Sequence, residues 1–188
     1  FAFNESFGYL TACPTNVGTG LRASVMLHLP ALAMTGRINR LVRSIVQLGY
    51  SVRGLYGEGS EALGHVYQVS NQRTMGISEV DTIEQLTKII EGIIAEERKC
   101  RQSLVHNDKE GLEDHLWRSY GILRYARSIS GQESLEKLSD VQLGVDLDIL
   151  PAWPIDSFNK LVAITRPNFL LKYMGKEEVT PQERENYR

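Results

Sequence analysis

The chain has 188 residues, 42% of them hydrophobic, and a formal net charge of −2. That is enough apolar material for one good-sized core and a smaller second one, and the charge supplies neither a basic field for direct nucleic-acid binding nor an acidic tail. No apolar run approaches the ~18 residues of a membrane span, no leader segment is visible, and two cysteines make no disulfide framework, which points to reduced thiols in the cytoplasm.

In chain order, residues 7–12 predict a short strand feeding Cys13-Pro14-Thr15-Asn16-Val17-Gly18-Thr19-Gly20-Leu21-Arg22. Pro14 fixes its own φ, Asn16 can bond its own backbone, and Gly18 and Gly20 permit positive φ and close approach of a ligand. The stretch opens on a thiol and closes on an arginine, the side chain best shaped to grip phosphate with two parallel hydrogen bonds. It is neither a Walker loop nor Gly-x-Gly-x-x-Gly, and the residues alone also allow a connecting loop with an inert cysteine. From Leu21 to Leu29 the pattern alternates. Leu21, Ala23, Val25, Leu27 and Leu29 share one face, and Arg22, Ser24, Met26 and His28 share the other. A strand with one apolar face follows, with Arg22 opposite the core.

Pro30 ends that strand, and Thr35 is expected to cap a helix with the stripe Ile38, Leu41, Val42, Ile45 and Leu48, stopped by Gly49. Arg37, Arg40 and Arg43 lie on its wet side, where a solvated face outweighs a binding patch. Residues 50–55 predict a second strand. Residues 56–64, with three glycines, Ser60, Glu58 and Glu61, predict a mobile loop. Residues 65–71 predict a third strand. Ser78 caps the next helix with Asp81 completing the box, and its stripe is Ile83, Leu86, Ile89, Ile90, Ile93 and Ile94 to about residue 103. Cys100, near its end, is expected to be structural.

His106-Asn107-Asp108-Lys109-Glu110-Gly111 breaks the pattern and marks the expected domain boundary, with domains of residues 1–105 and 106–188. Beyond it the pattern is helical. Leu112, Leu116, Tyr120 and Leu123 make one stripe, and Leu135, Leu138 and Val141 start another. Residues 141–149 alternate at period two, which leaves a strand open there. Pro151 and Pro154 make a rigid bend, Asp156 caps a helix carrying Phe158, Leu161 and Val162, and after Pro167 it resumes with Phe169, Leu170 and Tyr173. Thr180, Pro181 and Glu183 form a helix start near the end of the chain. A cap worth ~1 kcal/mol on a two-turn helix predicts that the chain is a piece of a longer one. His28, His65, His106 and His115 lack metal-ligand spacing, and no metal site is expected from protein side chains.

The stretch from Cys13 through Val25 resembles the central signature of the phosphagen, or guanidino, kinases. Arg53-Gly54-Leu55-Tyr56-Gly57-Glu58-Gly59-Ser60-Glu61 and Tyr67-Gln68-Val69-Ser70-Asn71-Gln72-Arg73-Thr74-Met75-Gly76 resemble two later family stretches in the same order. The bacterial protein arginine kinases are the branch most resembled, since metabolite kinases usually carry arginine where this chain has Tyr56. The resemblance implies an α+β fold with a mostly antiparallel sheet flanked by helices, then a helical C-terminal domain that makes a homodimer. It implies transfer of the γ-phosphoryl group of ATP, with Mg2+, to exposed arginines of protein substrates. It also implies a cytoplasmic stress-response setting, with activator or adaptor proteins of the Clp protease system, and neither nucleic acid nor membrane as a direct partner. A family member also needs upstream arginines and a glutamate that this sequence lacks, so the chain alone is expected to be inactive.

Phosphoryl transfer needs positioning and positive charge more than covalent help. Nucleotide contacts are implied at Arg22, Ala23, Ser24, Val25 and Met26, and at Arg53, Gly54, Leu55, Tyr56, Gly57 and Glu58. Arg73 is a weaker third cation. A guanidinium is a poor nucleophile while protonated, so carboxylates must orient it and help remove a proton. Glu58 and Glu61 are the candidates, and Cys13 is implied as a thiolate beside the guanidinium. A cysteine-hydrolase reading with His28 or His65 as base ranks low. Arg184, Glu185 and Arg188 resemble the Arg-Asp-x-x-Arg-Ala motif of a regulatory phosphoarginine pocket, with Glu in place of Asp. The other readings are a guanidino-metabolite kinase and a non-catalytic phosphoarginine-binding or dimerisation module.

Overall fold

The structure, a computed structural model, describes residues 2–11, 13, 16–54, 62–154, 156–175, 180–182 and 186, with main chain alone for Pro167, Tyr173 and Met174. Two compact units divide the chain. The first comprises Phe1–Ala62 and Val66–Cys100; the second comprises Leu63–His65 and Arg101–Arg188.

The first unit opens on a hairpin of β1 (Phe3–Asn4) and β2 (Gly8–Tyr9), paired antiparallel. The Asn4 side chain accepts the N–H of Ser6 at 2.9 Å and so builds the turn locally. The strand expected over residues 7–12 is thus only two residues long. Next come β3 (Ser24–His28), α1 (Pro30–Met34), α2 (Ile38–Gln47), β4 (Tyr50–Gly54), β5 (Val66–Asn71) and α3 (Glu79–Asn107). Strands β3, β5 and β4 form a sheet in that order, with β5 antiparallel to both neighbours. The α+β class with an antiparallel sheet and helices is what the structure shows.

Directly opposed residues of an antiparallel pair share a face. The register aligns Val25, Val69 and Val52 in one row, and Leu27, Tyr67 and Gly54 in another. This is the core face, where Leu27, Val69 and Tyr50 are buried. Helix α2 packs against β4, and α3 contributes buried Leu86, Ile90, Ile93 and Cys100. Two ends of the expected stripes are solvent-facing instead, Leu48 at 66% exposure and Ile83 at 52%.

Helix α1 has no counterpart in the sequence reading, and Thr35 caps its C-terminal end rather than starting α2. The Thr35 hydroxyl donates to the Ala31 carbonyl at 2.7 Å. The N-terminal end of α1 is satisfied from far along the chain. Buried Glu97 of α3 accepts the N–H of Ala31 at 3.0 Å on one oxygen and of Leu32 at 2.9 Å on the other. A carboxylate there meets both the orphan donors and the positive end of the helix dipole. Ser78 does cap α3 as expected: Asp81 N–H donates to its Oγ at 3.1 Å, and its hydroxyl donates to the Asp81 carboxylate at 2.6 Å.

The second unit contains the Leu63–His65 turn, the end of α3, α4 (Lys109–Tyr125), α5 (Gly131–Asp146), α6 (Ser157–Ile164) and α7 (Pro167–Met174). Its core is Leu112, Leu116, Val141, Leu143 and Leu150. The period-two run over 141–149 is helical to Asp146, because α5 carries the buried face Leu135, Leu138 and Val141 onto α4. Asp108 starts α4 by accepting the Gly111 N–H at 3.0 Å. Asp156 precedes α6 in the left-handed region, φ 66°, without a side-chain cap. Buried Asp140 of α5 holds three partners from one oxygen: the Ser119 hydroxyl at 2.7 Å, His115 Nε2 at 3.1 Å and Lys137 Nζ at 3.5 Å. Burial of a carboxylate is tolerated when it is paired in this way.

Candidate functional site

The polar face of the three-stranded sheet gathers several of the residues singled out by the sequence. Its rows are Ser24, Ser70 and Ser51, then Met26, Gln68 and Arg53. Arg22, two residues before Ser24, reaches onto the same face. Its Nη2 donates to Ser70 Oγ at 3.2 Å and to Ser51 Oγ at 3.3 Å. The two hydroxyls are themselves 2.6 Å apart and are 1% and 7% exposed, so Arg22 lies over a buried hydroxyl pair. Gln68 Nε2 donates to Ser24 Oγ at 3.0 Å. Ser51 and Arg53 are two residues apart on β4, roughly 7 Å along the strand.

None of the strand side chains on this face is acidic: they are Ser24, Met26, His28, Ser51, Arg53, Val66, Gln68 and Ser70. Two guanidinium groups therefore share a face without a carboxylate from the sheet itself. A face of that kind attracts a polyanion and can grip it through charge-assisted hydrogen bonds.

Arg22 is held by its backbone as well. The Ala23 N–H donates to Asn71 Oδ1 at 2.8 Å, and Asn71 Nδ2 donates to the carbonyls of Leu21 at 3.0 Å and Arg73 at 3.1 Å. Strand β3 begins only at Ser24, and the Asn71 side chain continues the ladder past that point. The loop before it is tied to the same region: Thr19 N–H donates to the Thr74 carbonyl at 2.9 Å, and the Thr74 hydroxyl donates to the Val17 carbonyl at 2.7 Å. Gly18 stands at φ +108°, and a Cβ there would strike the Thr74 carbonyl, so only glycine fits.

The other singled-out residues lie elsewhere. Ala23 precedes β3 on the core side and Val25 points into the core, so contact of either with a ligand on the polar face passes through main chain. Gly54 is buried in the row of Leu27 and Tyr67. Cys13 is exposed and in no disulfide, at the head of a turn closed by Asn16 N–H to the Cys13 carbonyl at 3.0 Å. The Arg73 guanidinium turns back to the carbonyls of Met75 at 3.1 Å and Gly76 at 3.5 Å. Leu55, Tyr56, Gly57, Glu58 and Glu61 lie outside the described residues, as do Arg184, Glu185 and Arg188. Asn186, between those last two arginines, lines a cavity of about 320 Å³ in the second unit with Tyr120, Arg124, Arg127 and Trp153. The sequence reading missed Ser51, Ser70 and Asn71 as parts of the site. Ser70 and Asn71 stand inside a quoted motif, but nothing local ties them to Arg22.

Residues 1–100 match the family model described as ATP:guanido phosphotransferase, C-terminal catalytic domain. Residues 109–188 match the one described as Protein-arginine kinase McsB C-terminal domain. The chain is 53% identical to the protein-arginine kinase of Halalkalibacterium halodurans, over 93% of this chain and 49% of that protein. It is 50% identical to that of Brevibacillus brevis, over 100% of this chain and 52% of the other. It is also 50% identical to that of Bacillus subtilis, over 98% and 51%. The chain thus spans about half the length of the curated relatives it matches. Among solved structures, a lombricine kinase is 35% identical over 51% of this chain and 26% of its own, with a TM-score of 0.45. A duplicated taurocyamine kinase from Schistosoma mansoni is 22% identical over 95% and 28%, also with a TM-score of 0.45.

Proposed function

Because the chain belongs to the ATP:guanido phosphotransferase family, we propose that it forms part of a kinase that moves the γ-phosphoryl group of ATP to arginine side chains of proteins. The observation that carries this reading is the polar sheet face, where Arg22 is fastened over Ser51 and Ser70, and Arg53 stands two residues beyond Ser51 on the same strand. That face fits a polyphosphate, because Arg22 and Arg53 bring two guanidinium groups to it. Mg2+ supplies charge neutralisation at the phosphate oxygens when bound, and it arrives with nucleotide and water rather than in a dedicated protein cage.

In this reading a substrate guanidinium nitrogen attacks the γ-phosphorus, the bond from phosphorus to the bridging oxygen breaks, ADP leaves, and Glu58 or Glu61 takes the nitrogen's proton. Cys13, as thiolate, orients the guanidinium, whose positive charge lowers the cost of ionising the thiol. Arg22 and Arg53 stabilise charge spread over the equatorial oxygens. Protein rather than metabolite substrates are supported by the match of residues 109–188 to the protein-arginine kinase C-terminal domain. The helical second unit is the part we assign to homodimerisation and to adaptors of the Clp protease system. The proposed setting is the cytoplasm, and among the described residues no helix is long and apolar enough to cross a membrane. Arg184, Glu185 and Arg188 form the proposed regulatory site for phosphoarginine.

The test is mass spectrometry for acid-labile phosphoarginine on a protein incubated with ATP and the intact protein at the length of its relatives. Phosphoarginine on protein, with free arginine left unmodified, is the expected result. Modification of free guanidino metabolites alone would turn the reading to a metabolite kinase, and no transfer at all would turn it to a binding module.

A further inference from the structure

An arginine that stabilises phosphoryl transfer works best when its guanidinium is already oriented, because long side chains otherwise lose rotamer freedom on binding. Arg22 is exposed and begins before the strand proper, so its own main chain does not orient its tip. What does so is a pair of hydroxyls from two different strands. Ser70 of β5 and Ser51 of β4 stand opposite each other in register, beneath the guanidinium.

The chemistry of that pair is specific. Each hydroxyl has one hydrogen and two acceptor lone pairs. At 2.6 Å one hydroxyl donates to the other, which leaves a lone pair on each to accept from Arg22 Nη2. The pair is buried, so water does not compete for those lone pairs. Among the described residues, the contacts of Arg22 run through Nη2 alone. The rest of the guanidinium, Nη1 with its two hydrogens and Nε with one, is left to donate to phosphate oxygens.

We infer that Ser51 and Ser70 are positioning residues for nucleotide binding: they hold Nη2 of Arg22 and so fix the plane of the guanidinium that meets the polyphosphate of ATP. The inference rests on the proposed function only for the identity of the anion. The two serines do not touch the nucleotide themselves; they act through Arg22.

A cycle on the intact protein tests this, with ATP affinity measured by calorimetry and folding followed by thermal unfolding. The Ser51→Ala/Ser70→Ala variant should bind ATP about tenfold more weakly while unfolding as a single cooperative transition. In an Arg22→Ala background the same two substitutions should change ATP affinity less than twofold, because the residue through which they act is gone. If the double variant does not fold, Ser51→Ala alone carries the same comparison. Unchanged ATP affinity with Arg22 present would overturn the inference. So would an equal loss with Arg22 absent, since that is the signature of direct contact or of general damage. Wild-type protein that binds ATP but transfers nothing to arginine would sink the kinase reading and still leave this comparison readable.

Discussion

The carboxamide of Asn71 accepts the N–H of Ala23 at 2.8 Å, so a side chain on β5 extends the β-ladder to residues that precede β3. Its other end donates to Leu21 and Arg73 carbonyls, and the residue is 6% exposed. Asn71→Ala leaves three partly buried backbone groups without this partner and should destabilise the protein by about 2 kcal/mol in denaturant titration. Asn71→Asp keeps the acceptor for Ala23 but sets a carboxylate against two carbonyls, and should be no better. Either variant at wild-type stability would show that the clamp is dispensable.

Arg22→Ala should lower ATP affinity and turnover together, turnover by ~10³ or more. Stability should move by no more than about 1 kcal/mol, because Arg22 lies on the face opposite the core. Calorimetric ATP titration beside chemical denaturation checks both halves. A protein that unfolds readily, yet binds ATP normally per folded molecule, would contradict the placement.

Cys13→Ala should reduce turnover strongly with ATP affinity nearly unchanged, since the proposed partner of the thiol is the guanidinium and not the phosphates. The side chain is exposed and the turn around it is closed by main-chain bonds, so stability should stay within about 0.5 kcal/mol. Steady-state kinetics with ATP and protein substrate varied separately make the distinction. Near-normal turnover would return Cys13 to a structural role.

Tyr67 should make the fold sensitive to alkali. Burial, and behind it the charge of Glu97, raise its hydroxyl above the ordinary value of 10.0. The folded state therefore keeps a proton that the unfolded chain releases near pH 10. The sign follows: this contribution to stability is fully present below that pH and is lost as pH rises through the folded value. Tyr67→Phe should flatten the fall in stability above pH 10, leaving the contribution of Tyr50, whose hydroxyl burial also raises. Unfolding midpoints from pH 8 to 11 for both proteins read the difference, and parallel curves would refute it.

Phosphoarginine titrated into the intact protein should bind, and an Arg184→Ala/Arg188→Ala variant should bind it at least tenfold more weakly, since the proposed site takes its two guanidinium forks from these residues. Equal binding by both proteins would remove these residues from the site.

Period-two alternation is a property of the local chain, so the face of Arg22, Ser24 and Met26 could be read directly from Leu21 to Leu29. The Ser78–Asp81 cap was legible for the same reason, being closed within three residues. The misreading of Thr35 shows the limit. A threonine before an apolar stripe looks like an N-cap, but Pro30 had already started a helix whose own cap, Glu97, lies 66 residues beyond Ala31. The site divides along the same line. Arg22 and Arg53 were visible as cations on strands, whereas the register that sets Ser51 opposite Ser70, and both beneath Arg22, depends on three strands pairing across separations of 19 to 48 residues. No spacing within the chain encodes such a pairing. It is chosen when the apolar faces of β3, β4 and β5 bury together, because a slip of one residue would turn every core side chain of a strand to water.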